Sequence, residues 1–264
     1  MRWRPAPLLS ASALAHVGAA AAVLARPDIW PWAVGGIIAN HVVLAGAGLW
    51  PRSRVLGPNW VQLPPPARAR GEIALTIDDG PDPLVTPQVL DLLQRHGAHA
   101  SFFCVGEKLA RHPQLARDIS ARGHSVENHS QHHRAYFSLL GPRGMEREIL
   151  VAQDLITHTT GVSPRFFRAP AGLRNPFLDY VLAKRELRLA SWTRRGFDTV
   201  NGNAMRVLAI LSRNLAAGDI LLLHDGNAAT TSAGSPLILE VLPPLLDAIR
   251  RAGLRTVTLP QALA

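Results

Sequence analysis

The sequence predicts an α/β fold: a parallel sheet of about seven strands, closed or nearly closed into a barrel, behind a two-helix membrane anchor. Three observations carry that prediction. From Glu72 onward, short apolar or β-branched runs alternate with segments of helical spacing, the pattern of a parallel sheet with helical crossovers. Acidic, histidine and arginine residues recur where those runs end. Ahead of them lie two long stretches with no acidic or basic residue beyond one histidine each, His16 and His41.

Those two stretches come first. Ala6–Ala25 and Trp30–Trp50 are each about long enough to cross a ~30 Å hydrocarbon core as a helix. Trp30, Trp32 and Trp50 stand at the ends of the second, where interfacial aromatics belong. A cleaved signal peptide is disfavoured, because the best small-residue site, "VLA", is followed by Arg26 and Pro27. Arg2 and Arg4 precede the first stretch, the link "RPDI" is nearly neutral, and Arg52 and Arg54 follow the second. The positive-inside tendency then puts both ends of a hairpin on the cytoplasmic side of a bacterial-type inner membrane. With only one span, the domain that follows falls outside instead. Residues 1–56 are read as the anchor, with helices at about 6–25 and 30–50. Residues 57–71, "GPNWVQLPPPARARG", are Pro-rich, basic and aperiodic, which reads as a linker.

The charge supports this division. Seven arginines against Asp28 alone give residues 1–70 a net +6 of the chain's +9, so the remainder holds only +3. No stripe of lysine and arginine interleaved with aromatics runs through that remainder, which argues against a nucleic-acid partner. The basic excess flanks apolar segments and points to a bilayer.

In the domain, 72–264, the strand-like runs are "IALTI", "SFFCV", "HSVEN", "RFFRA", "LRLASW", "DILLLH" and "LRTVTL". Several intervening helices stop at glycine (Gly97, Gly123, Gly161, Gly253), the usual left-handed C-terminal cap. Cys104, the single cysteine, sits in an apolar run and reads as a small core residue. In such folds chemistry collects at the carboxyl ends of the strands. Asp78 and Asp79 end the first strand, "NHSQHH" follows the third, Arg168 ends the fourth, Trp192 the fifth with Asp198 soon after, and His224 the sixth.

Two adjacent carboxylates at the end of a buried strand need compensation. A metal ion compensates one; a role as proton acceptor explains the other. His129 and His133, spaced i, i+4, can present two imidazoles from one helical turn to one cation. With one carboxylate they form a two-His, one-carboxylate set that leaves coordination positions open. His132 lies between them as a possible substitute, whereas His96, His99, His112 and His158 read as ordinary histidines.

The motifs "TIDDGP", "NHSQHH", "FRAPAG" and "LLLHDG", in that order, resemble those of the NodB-homology polysaccharide deacetylases, carbohydrate esterase family four. The resemblance spans about residues 71–260 and implies a distorted (β/α) barrel. It implies Asp78 as general base, Asp79 with His129 and His133 as metal ligands, Arg168 as partner of the base, and His224 as general acid. It also implies Leu222 in the acetyl pocket and the Ala171 backbone N–H at the oxyanion. Asp198 matches an acid that orients His224, but Thr199 follows where the family has Trp, which leaves two readings of Trp192 and Phe197: one of them fills the pocket, or both are core aromatics. Ala171 stands where Tyr is common. The expected cofactor is one divalent ion, Zn by ligand type, with Co, Ni or Mn as neighbours. The expected activity is removal of an N-acetyl group from an amino sugar in a polysaccharide or lipid-linked glycan. A deformylase of a polyprenyl-linked amino sugar and an inactive sugar-binding module are the alternatives.

Overall fold

The computed structural model describes residues 3–264; Arg2, one of the two arginines ahead of the first span, lies outside them. Eight strands are present among the described residues: β1 (Glu72–Asp78), β2 (Ser101–Cys104), β3 (Ser125–Asn128), β4 (Phe166–Phe167), β5 (Arg188–Leu189), β6 (Arg194–Arg195), β7 (Ile220–His224) and β8 (Arg255–Val257). They form one curled sheet in the order β5-β4-β3-β2-β1-β7-β6, with β8 beside the start of β1. Every pairing is parallel, giving the distorted barrel. Seven of these strands are legible as apolar runs. The eighth, β6, consists of two arginines and carries no hydrophobic signal.

The helices are α1 (Pro7–Ala25), α2 (Trp30–Leu49), α3 (Pro65–Ala69), α4 (Thr86–Arg95), α5 (Gly106–Arg111), α6 (Pro113–Ala121), α7 (Pro142–Thr160), α8 (Leu178–Ala183), α9 (Ala204–Ser212) and α10 (Leu237–Arg251). Gly97, Gly123, Gly161 and Gly253 all take positive φ just beyond helix ends, where a side chain would be strained.

Strand alternation explains how the barrel sorts its residues. Ile73, Leu75 and Ile77 of β1 point outward with Leu221 and Leu223 of β7, into the layer covered by α4 and α10. Ala74, Thr76 and Asp78 fall on the opposite face, as do Ile220, Leu222 and His224. Polarity on that inner face therefore rises toward the carboxyl ends. Cys104 is buried and unpaired, as its apolar surroundings imply.

The Pro-rich segment is packed against the domain, unlike the semi-rigid linker its composition suggests. Trp60 N–H donates to Leu189 O at 2.9 Å, and Ser191 N–H donates to Trp60 O at 2.8 Å, extending the sheet past β5. Leu63, just ahead of α3, and Ala67 within it are buried against Ala74, Phe103, Phe166 and Ile220, inside the barrel. Aperiodicity hid this, because one turn of helix plugging a barrel needs only two apolar residues. Burying Leu63 alone is worth about 2–3 kcal/mol. A truncation starting at Glu72 is therefore expected to melt about 5 °C or more below one starting at Pro51, measured by calorimetry.

The helices α1 and α2 form a hairpin through the turn Pro27–Ile29. Asn40 Nδ2 donates to Ser12 Oγ at 2.9 Å, and the His16 and His41 rings lie 5.2 Å apart, so the polar residues of both helices face one another. Their apolar residues do not face protein: Leu14 is 72% exposed, Leu24 85% and Trp32 84%. Both helices are long and apolar enough to cross a membrane, and their uncovered faces suit lipid. The end of α2 docks on the domain, where Arg174 N–H donates to Gly48 O at 3.1 Å. A Cβ at Gly48 would lie 2.2 Å from Arg174 O, so only glycine allows this approach. Trp3 Nε1 donates to Asp179 Oδ2 at 2.8 Å from the other side of the hairpin.

Candidate metal centre and active site

The carboxyl ends of the central strands bring most of the predicted residues into one cavity, with Arg168 and Asp198 buried behind its lining. Asp78 pairs in register with His224 across β1 and β7. The cavity is lined by Asp78, Asp79, His129, His133, Ala169, Ala171, Gly172, Trp192, Arg195, Thr199, Leu222, His224 and Asn227.

Asp79 follows β1 in a left-handed turn, with φ of 73°, which swings its carboxylate away from the direction of Asp78. Its Oδ1 lies 3.2 Å from His129 Nε2 and 3.2 Å from His133 Nε2. The ligand atoms of Asp79, His129 and His133 all fall within 4.8 Å of one another. The ring tautomer decides what this means. His129 Nδ1 sits 2.8 Å from the Arg168 carbonyl and donates to it, which leaves Nε2 a lone pair aimed at a carboxylate. Asp79 Oδ1 is buried with no hydrogen-bond partner. An orphaned anionic oxygen facing imidazole lone pairs is unfavourable by itself and fits a bound cation. These three residues are a metal-binding triad.

The i, i+4 spacing selects the right histidines through a different geometry. Residues 129–133 form a loop, with Ser130 at φ 65° and His133 at φ 49°. Asn128 Oδ1 accepts from Ser130 N–H at 2.9 Å and Ser130 Oγ accepts from His133 N–H at 3.1 Å, bending the chain so the two rings meet at 4.8 Å. His132 is drawn the other way, its Nδ1 2.9 Å from Glu148 Oε1, and takes no part in the triad.

Arg168 is among the largest fully buried side chains. It donates to Asp78 Oδ1 at 2.6 Å, Thr76 Oγ1 at 2.8 Å, Ser191 O at 2.7 Å and Ala190 O at 3.2 Å. Phe103 covers its face, with the guanidinium carbon 4.1 Å from the ring centre. So many fixed partners leave Asp78 one orientation: Oδ1 on Arg168, and Oδ2 toward the triad, 3.8 Å from His129 Nε2.

On the other flank, Asp198 is buried and accepts twice from His224, from its backbone N–H at 2.8 Å and from Nδ1 at 2.9 Å. Burial lowers the His224 pKa, but the hydrogen bond and charge of Asp198, with Asp78 and Asp79 beyond, outweigh it and raise the group above an ordinary histidine.

Leu222 and Trp192 are buried in the cavity wall, and Thr199 lines it without an aromatic ring. Trp192, rather than the half-exposed Phe197, supplies the aromatic surface. Ala171 lies at φ 55° in the turn Pro170–Gly172. A Cβ on Gly172 would strike Trp192 and Pro51, so the anchor's exit loop backs this turn directly. Of the non-glycine residues at positive φ, Asp79, Ser130, His133, Ala171 and Phe197 all belong to or border this site, as strained backbone at functional centres tends to.

Two contributors were not read from the sequence. Asn227 Nδ2 donates to Asp79 Oδ2 at 2.9 Å, fixing the carboxylate so that Oδ1 faces the imidazoles. Lys108 Nζ donates to Asp79 O at 2.8 Å and Gly226 O at 3.2 Å, tying the loop after β1 to the loop after β7. Asn227 lies three residues past His224, a signal visible only once both loops are known to share a cavity.

Comparison with known proteins agrees with this arrangement. Residues 66–190 match the family described as Polysaccharide deacetylase. A Bacillus cereus protein named peptidoglycan-N-acetylglucosamine deacetylase is 34% identical over 193 residues, covering 72% of this chain and 87% of its own. A Bradyrhizobium sp. protein named chitooligosaccharide deacetylase is 32% identical over 196 residues, covering 72% and 89%. Among solved structures, a family 4 carbohydrate esterase from Streptomyces lividans in complex with acetate superposes with a TM-score of 0.64 at 31% identity, covering 70% of this chain and 91% of its own.

Proposed function

The chain belongs to the polysaccharide deacetylase family, and on that premise we propose that it hydrolyses the N-acetyl amide of an amino sugar, with Asp78 as base and His224 as acid. The observation that carries this reading is the orphaned Asp79 Oδ1 facing two imidazole nitrogens, with Asp78 on one flank and His224 on the other.

Asp79, His129 and His133 would hold one divalent ion, read here as Zn, with Co, Ni or Mn compatible with the same donors. When bound, such an ion polarises the amide carbonyl and lowers the pKa of water toward about 7. Every remaining task falls to side chains. Leu222 and Trp192 receive the acetyl methyl and exclude water around it. Asp78 Oδ1 is committed to Arg168, so the proton of the attacking water goes to Oδ2. The water oxygen joins the carbonyl carbon, the carbonyl oxygen takes the charge, and the Ala171 N–H is read as its backbone donor. The C–N bond then breaks as His224 passes a proton from Nε2 to the nitrogen, releasing acetate and a free amine. Asp198 keeps Nδ1 occupied and the imidazolium favoured.

The role of Asp198 has a testable sign. His224 works while protonated, so the rate falls as pH rises through its raised pKa. Asp198→Asn removes the charge that raises it and is expected to move that alkaline fall to lower pH. At neutral pH the variant should lose about tenfold or more in kcat. An unmoved alkaline limb in a folded variant refutes the assignment.

The N-acetyl reading is tested by loading the purified full chain with Zn and assaying N-acetyl and N-formyl amino sugars, polymeric and lipid-linked. Acetate release supports it. Formate release alone shifts the activity to a deformylase, which the small Ala171 and Thr199 would suit. Stoichiometric metal without turnover on any substrate leaves a sugar-binding module.

The two uncovered apolar helices support membrane anchoring, and charge supports a side. The hairpin brings Arg4, Arg52 and Arg54 to the end that carries the domain. We read that end as cytoplasmic by the positive-inside tendency. Protease protection of the domain in right-side-out vesicles, lost on opening them, is the expected result.

A further inference from the structure

Strand β6 presents two neighbouring arginines in opposite circumstances. Arg194 is fully engaged, donating to Asp219 Oδ2 at 2.7 Å, Asn214 O at 2.5 Å and Arg213 O. The Arg195 side chain makes no hydrogen bond or ion pair among the described residues, and its Nε is buried without a partner. Two aromatic rings hold it instead, with the guanidinium carbon 5.5 Å from the Trp192 ring centre and 5.3 Å from that of Phe197. Such a clamp fixes the plane of the cation and leaves its edge donors unspent. A buried, unpaired donor on a charged group is costly unless a ligand satisfies it.

Position says what the ligand carries. Arg195 and Trp192 line the catalytic cavity, and both also line a second cavity with Trp50, Pro51, Arg52, Phe197 and Ile210. No acidic residue lines that second cavity. It leads from the metal triad to the domain-proximal end of α2, past exposed Arg52, whose guanidinium reaches only the Thr193 carbonyl at 3.3 Å. A negative group beside the reacting sugar, on the side facing the anchor, meets two guanidinium groups and then the exposed apolar surfaces of Trp50 and Phe197.

We propose that Arg195, assisted by Arg52, is a subsite for a phosphate group on the substrate, so that the amino sugar is deacylated while it carries phosphate. Phosphate offers the planar fork of arginine paired oxygens and enough charge for both cations. The substrate assignment rests on the hydrolase reading above; the subsite itself rests on the unpaired guanidinium.

The test uses the full chain in lipid nanodiscs, loaded with Zn. Three substrates are compared: soluble N-acetylglucosamine 1-phosphate, the same sugar on a polyprenyl diphosphate, and neutral tri-N-acetylchitotriose. Arg195→Met is expected to lower the ratio of kcat/KM on phosphate-bearing over neutral substrate by about tenfold or more, mainly through KM, with Arg195→Lys keeping part of it. Equal losses on all three substrates would mean that Arg195 only braces Trp192, and would overturn the proposal. Calorimetric titration with inorganic pyrophosphate gives a readout free of turnover: weaker binding to Arg195→Met is expected, and equal binding overturns the subsite. A larger effect on the lipid-linked sugar, shared by Arg52→Met, assigns the phosphate to the bilayer. An equal effect on the soluble sugar assigns it to a free sugar phosphate. A chain that binds pyrophosphate through Arg195 but hydrolyses no N-acyl sugar retains the subsite and loses the hydrolase reading; turnover without Arg195-dependent phosphate preference does the reverse.

Discussion

Replacing Asp79 with alanine is expected to abolish metal binding and turnover together. The reason is that nothing nearby can take its place. Asp79 Oδ1 lies 3.2 Å from both imidazole nitrogens, whereas Asp78, the other carboxylate lining the cavity among the described residues, has Oδ1 bound to Arg168 and Oδ2 3.8 Å from His129 Nε2. Loss of a group that merely orients a ligand costs about 10–100-fold in metal affinity, and loss of the ligand itself exceeds that. The left-handed backbone at Asp79 makes alanine mildly strained, so Asp79→Asn, which tolerates that conformation, is the control for folding. It should fail in the same direction, since a neutral amide is a poorer ligand. Metal content by mass spectrometry, alongside circular dichroism, decides the matter. Stoichiometric metal in folded Asp79→Ala would refute the ligand set.

The second large effect separates chemistry from metal binding. Asp78→Asn keeps an oxygen for Arg168 and removes only the capacity to accept a proton. The variant is expected to retain stoichiometric metal while kcat falls by about 10²–10⁴, the range for a lost general base. KM should change little, because in the proposed mechanism Asp78 meets the attacking water rather than the sugar. A rate within a few-fold of the parent would move the base elsewhere. Together the two substitutions ask why adjacent carboxylates, one residue apart, carry unlike duties.

Much of this site is legible in the chain because strand ends are legible. Apolar runs that stop at aspartate, asparagine, arginine or histidine mark where a barrel opens, and "IALTIDD" and "LLLHDG" mark it plainly. The histidine pair is legible too, though for an incomplete reason: the spacing anticipates a helical turn, and the turn is a loop bent by Asn128 and Ser130. Three features had no local signal. Strand β6 is two arginines, α3 hides in a Pro-rich segment, and Asn227 acquires a role only because β7 lies beside β1.

From the sequence alone come the alternation that sets the fold class, the apolar stretches that form the anchor, and the identity of nearly every polar residue at the strand ends. Periodicity and composition are local properties, so a linear chain displays them. What it does not display is direction. Which aspartate turns toward the imidazoles follows from the left-handed bend at Asp79 and the hold of Arg168 on Asp78, and an aromatic clamp on Arg195 follows from two rings brought together by that fold. Those outcomes depend on register and packing between segments far apart in the chain, and only the assembled barrel decides them.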